Sequence, residues 1–227
     1  MKSLLAVILS LAWCQLAHAE ASSPPVIRVA LVPVTVDPLS GVAWKAMTAE
    51  CNRIWAREGI AITWSGAGAP PDADVVLPLV FDHREVRKHD RKNADAFGVT
   101  TFSGHSQRIL VSADRAREVI AQRHGLADSS DGMTLDIAMG TLLGRVVAHE
   151  VGHALLLTLS HATDGLMRAN IEGDDLRPAF DGQFALVALD RRRIATRFSN
   201  SSSREPVLAS FTWRDVPPVP SPLRAPR

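Results

Sequence analysis

A chain of 227 residues carrying 25 basic and 24 acidic side chains offers neither nucleic acid nor an anionic membrane an electrostatic footprint. With 46% hydrophobic residues and no internal repeat, it is expected to build one ordinary domain around a packed core, not a solenoid or a coiled coil.

Residues 1–19 read as an export signal: Lys2 as the charged start, Leu4–Leu16 as the apolar run, and Ala17-His18-Ala19 as a small-x-small cleavage site. The run is too short to span a bilayer stably, so the mature chain is expected to start at Glu20 and to be periplasmic or extracellular, without membrane insertion. Loss of Lys2 leaves 24 basic and 24 acidic side chains. Cys51 is then the remaining cysteine, which rules out an intramolecular disulfide.

Val26–Val36 predicts a buried first strand, with Pro33 marking an end or an edge. Pro38 and Ser40 open a helix to about Glu58, whose stripe of Trp44, Met47, Cys51, Ile54 and Trp55 faces a core. That stripe makes Cys51 a packing residue. Gly59 stops the helix, and Ile60–Trp64 is a second strand. The glycines at Gly66 and Gly68 lack the strand–glycine–helix context of a phosphate cradle. Val75–Phe81 is almost continuously apolar and is predicted to be a central strand.

His83–Asn93 is a charge-dense loop or short helix, read as a solvated face. Ala96–Phe102 and Gln107–Ser112 are two strands around a turn that contains His105. Ala113–His124 is a helix, and Thr134 is a candidate cap for a long helix over about Leu135–Leu157. Phe180–Arg197 is a last helix with Phe184, Leu186, Val187 and Ile194 partly inward and Arg191–Arg193 towards its C-terminal end. Residues 199–227 form a Ser/Pro-rich tail predicted to be disordered, leaving residues 26–198 as the domain.

The long helix carries the chemistry. It contains His149-Glu150-Val151-Gly152-His153, and residues four apart on a helix are offset by about 40° and 6 Å. The imidazoles of His149 and His153 therefore share a face, and Glu150 stands beside it. Two histidines and a neighbouring carboxylate suit Zn2+ with an open position for water, the Glu serving as general base. A third protein ligand is required. On a continued helix His161 would lie about 12 Å beyond His153, so it serves only if the chain turns back between Leu156 and Ser160. Asp164 and Glu172 are the rival third ligands.

His149-Glu150-x-x-His153, then His161, then Gly165-Leu166-Met167 resembles the metzincin clan of zinc metalloproteases, with a third histidine and a Met-turn. The usual metzincin spacing fails, because its turn glycine and third histidine fall on Leu156 and Leu159. A longer variant fits better. The chain is similar to an uncharacterised family of secreted bacterial peptidases at Ala148, His149, Glu150, Gly152, His153, Leu155, Leu156, His161, Gly165, Met167, Arg168 and Ala169. That family has a turn glycine where this chain has Leu157. A leucine in the left-handed conformation would cost roughly 1–2 kcal/mol; otherwise the turn shifts to Thr158–Ser160.

The resemblance implies an α+β, zincin-like fold: a mixed sheet packed on helices, with a long active-site helix. It implies a zinc endopeptidase acting on a peptide or protein substrate, with His149, His153 and His161 as metal ligands. Glu150 would be the catalytic base and Met167 would lie beneath the imidazoles. Phe97–Thr101 would line the cleft as an edge strand that pairs with extended substrate. The chain contains no tyrosine to assist an oxyanion, which leaves Arg168 and His105 as candidates. The alternative reading is a secreted zinc-binding protein that keeps the fold without turnover. A serine or thiol hydrolase is disfavoured, since there is no Gly-x-Ser-x-Gly elbow and no cysteine placed for nucleophilic attack.

Overall fold

The computed structural model describes residues 27–35, 39–66, 70–89, 96–104, 106–124, 132–170 and 183–199. The predicted export signal, His105, Glu172 and all of the predicted tail except Ser199 lie outside them.

Five strands form one mixed sheet: β1 (Ile27–Thr35), β2 (Ile60–Trp64), β3 (Val75–Phe81), β4 (Gly98–Ser103) and β5 (Ser106–Val111), in the order β2-β1-β3-β5-β4. The first four in that order run parallel and β4 returns antiparallel at the edge. β3 is the central strand, as its nearly continuous apolar run predicts. Pro33 is not on an edge strand. β1 has neighbours on both sides, but its pairing with β2 reaches only Leu31, and its register against β3 shifts between Pro33 and Thr35. A proline is tolerated at such an irregularity because its missing N–H breaks no regular ladder.

Among the described residues five helices accompany the sheet: α1 (Gly41–Ala56), α2 (His83–His89), α3 (Ala113–His124), α4 (Gly132–Leu156) and α5 (Ala188–Ser199). The architecture is α+β, as expected. Ser40 caps α1 by accepting the Ala43 N–H, and the helix buries Ala43, Met47, Cys51, Ile54 and Trp55. α4 begins at Gly132, so Thr134 lies inside it and is not its cap.

α1 and α4 approach closely through glycines. A Cβ on Gly140 would stand 2.2 Å from the Ala43 carbonyl oxygen, and one on Gly144 would stand 2.6 Å from that of Met47. Beside this contact the buried Arg145 donates to Glu50 at 2.8 Å, and Arg53 grips the same carboxylate at 2.7 and 2.9 Å. Burial pushes the Glu50 carboxyl up, but the two guanidinium groups outweigh it and hold the group below its usual range.

The last helix is shorter than predicted, and Phe184 and Leu186 are buried in the segment before it. The Ala185 carbonyl accepts the Leu166 N–H and the Leu186 N–H goes to Glu58, so neither group is free for a helical ladder. Arg191–Arg193 accordingly lie in the first half of α5, not near its C-terminus.

Candidate metal centre

His149 and His153 stand one turn apart on α4, with ring centroids 4.6 Å apart and Nε2 atoms 2.9 Å apart. Backbone carbonyls orient each ring from behind. His149 Nδ1 donates to the Leu166 oxygen and His153 Nδ1 to the Thr158 oxygen, both at 2.8 Å. A carbonyl only accepts, so each Nδ1 carries the proton and each Nε2 of a neutral ring carries a lone pair. Burial pushes His149 down to about 4 and His153 down to about 3, which keeps both neutral at physiological pH. Two lone pairs facing each other across 2.9 Å repel unless a cation lies between them.

The chain does turn back. α4 stops at Leu156, Leu157 takes a left-handed φ of 52°, and the Thr158 N–H reaches the His153 carbonyl at 3.3 Å. This is the six-to-one bond of a Schellman ending, with leucine where glycine is usual. Of the two expected ways round the missing glycine, the helix takes the strained one. The return brings His161 over the pair, its ring 5.3 Å from His149 and 4.9 Å from His153. One ring nitrogen from each of the three histidines falls within 4.8 Å of the others, so the three can hold one metal ion. Asp164 is not in that cluster; its carboxylate takes the Thr163 hydroxyl.

The loop beyond His161 is closed by the Ala162 N–H donating to the Met167 carbonyl at 2.8 Å. Gly165 has a φ of 72°, and a Cβ there would stand 2.3 Å from the Ala185 oxygen. This turn presents the Leu166 carbonyl to His149 and buries Met167 against α4 at Gly152. Arg168 lies 5.8 Å from the Phe184 ring centroid, on which Arg145 also stacks at 4.8 Å.

No protein-family model matches this chain, and no curated protein or solved structure matches it at a significant level. The site is therefore read from its own chemistry. Three imidazoles are borderline donors that suit Zn2+ and related transition ions, whereas calcium and magnesium prefer oxygen.

Glu150, next to His149 on α4, packs against the edge strand β4. It is 4% exposed, and the Thr100 hydroxyl lies 2.8 Å from both its Oε2 and its backbone carbonyl. A Cβ on Gly98 would come within 3.1 Å of Oε1, so the glycine makes room for the carboxylate. Gly98 and Thr100 are two apart on β4 and share a face, as strand alternation requires. Thr100 fell within the span expected to line a cleft, but its hydrogen bond to Glu150 joins residues 50 apart, and no local pattern announces it.

Proposed function

We propose that this protein is an exported zinc-dependent endopeptidase of metzincin type. Convergence of His161 on His149 and His153, with Glu150 buried beside the edge strand, carries the reading. The donor set fits zinc: the two helix imidazoles are neutral, held by carbonyls at Nδ1, and open at Nε2. Zinc bound there supplies Lewis acidity that polarises a peptide carbonyl and makes water acidic enough to attack near neutral pH.

The chain's own residues do the rest. Glu150 takes the proton of the attacking water and delivers it to the leaving amine. Thr100 holds one carboxylate oxygen and Gly98 leaves room for the other, which would keep the carboxylate in place for that proton transfer. β4, at the sheet edge with no described strand on its outer side, offers backbone groups to an extended peptide, which would lie beside Glu150. Among the described residues no helix is long and apolar enough to cross a membrane.

The test is metal analysis of the purified protein together with hydrolysis of casein or a peptide library. Stoichiometric zinc, chelator-sensitive cleavage, and loss of cleavage with retained zinc in Glu150→Gln support the proposal. Zinc without cleavage indicates a binding protein that kept the site and lost turnover. A protein that takes up no metal overturns both readings.

A further inference from the structure

Leu157 is the one non-glycine residue with a positive φ among the described residues, and it sits where the chain leaves α4 for His161. An α-helix could relieve this strain by continuing. The Thr158 N–H would then bond to the Ala154 carbonyl and the Leu159 N–H to that of Leu155. Leucine at 157 and 159 favours that outcome, and it would carry His161 away from the other two imidazoles.

Those two carbonyls are already taken. Arg197, on α5, donates through Nη1 to the Ala154 oxygen at 3.1 Å and to the Leu155 oxygen at 2.6 Å. Ala154 and Leu155 are fully buried with the guanidinium in place, their last-turn carbonyls need a donor, and a cation is favoured at a helix C-terminus. α5 is tethered independently near its start, where Arg191 clamps the buried Glu58 carboxylate at 2.7 Å. The position of Arg197 is thus set without reference to the turn it holds.

We propose that Arg197 is a positioning residue for the metal centre: by occupying the Ala154 and Leu155 carbonyls it stops α4 from running on and keeps His161 at the site. This rests on the metal-binding reading above. It also explains how a leucine can stand where a turn glycine is expected.

A zinc-affinity cycle measured by competition with a chromophoric chelator tests it. The four proteins are the wild type, Arg197→Ala, His161→Ala and the double variant, each checked for cooperative thermal unfolding. Arg197→Ala is expected to weaken zinc binding by about 10- to 100-fold, the usual effect of losing an outer-shell partner. It should have almost no further effect once His161 is gone, because the guanidinium acts through that imidazole. Leu157→Gly, which makes the turn easy, should restore much of the affinity to Arg197→Ala.

Equal losses in both backgrounds, or no rescue by glycine, mean that Arg197 is only a general stabiliser and overturn the proposal. Wild type that binds zinc while Arg197→Ala binds it equally well also overturns it and leaves the metal reading intact. Wild type that binds no zinc removes the reading itself. If Arg197→Ala does not fold, Arg197→Lys enters the same cycle, with an intermediate loss expected.

Discussion

The thioether of Met167 occupies the space that a side chain on Gly152 would need, for a Cβ built there would stand 2.2 Å from the sulfur. Gly152 lies between His149 and His153, so the turn that carries Met167 touches α4 between the two imidazoles of the candidate site. Gly152→Ala should therefore destabilise the fold by about 1–3 kcal/mol, the typical cost of overpacking. It should also weaken zinc binding, because a displaced turn moves the Leu166 carbonyl off His149. Met167→Leu keeps the volume and should cost less than about 1.5 kcal/mol. Urea unfolding of both variants decides this; a harmless Gly152→Ala would show that the turn is not packed as described.

Thr100 should matter to catalysis more than to metal binding. Thr100→Val removes the hydroxyl from a buried carboxylate, and leaving that group short of a donor costs about 1–3 kcal/mol. On a chromogenic peptide identified from the library, kcat/KM should fall by about tenfold or more while zinc stoichiometry is unchanged, and Thr100→Ser should recover most of it. Equal activity in Thr100→Val would dissociate the hydroxyl from the role of Glu150.

The histidines make the metal-free protein sensitive to acid. Their folded values of about 4 and about 3 lie below the ordinary 6.5, so from about pH 6.5 downward the unfolded chain binds protons that the folded chain refuses. Stability is then fully present above pH 6.5 and is lost as pH falls through the folded values. The urea midpoint of chelator-treated protein should drop between pH 7 and pH 4. The drop should be shallower in a His149→Gln, His153→Gln double variant. An identical pH slope in both proteins would remove the imidazoles as its source.

Leu157→Gly should stabilise the protein. The leucine side chain is 54% exposed and loses little burial, while glycine relieves a left-handed conformation that costs leucine roughly 1–2 kcal/mol. The greater freedom of glycine in the unfolded chain takes back about half of that. A gain of about 0.5–1 kcal/mol in chemical unfolding is expected, against little change for Leu157→Ala.

Glu50 joins α1 to α4 through the buried Arg145. Glu50→Ala strands that guanidinium in the core and should cost about 3–5 kcal/mol. Glu50→Ala together with Arg145→Leu should recover much of the loss, and thermal melts of the wild type, the two single variants and the double variant read the difference. Additive losses would mean that the two side chains are not energetically a pair.

Much of this molecule follows from pattern. The 3–4 spacing of Met47, Cys51 and Ile54, the apolar runs of β1 and β3, and two histidines four apart within a long helix are local features. A helix or strand period alone places them on one face, so α1, β2, β3 and the His149–His153 pair appear as read from the letters. Other features depend on partners far away in the chain. Whether α4 ends at Leu156 turns on Arg197, and whether Ala185 and Leu186 join a helix turns on Leu166 and Glu58. What holds Glu150 turns on Thr100 of the edge strand. Hydrogen bonds between residues so far apart leave no periodic trace, because each end is locally an ordinary residue. The sequence alone therefore determined that two imidazoles and a carboxylate would ride one helix; tertiary structure alone decided that a third imidazole would come back to meet them.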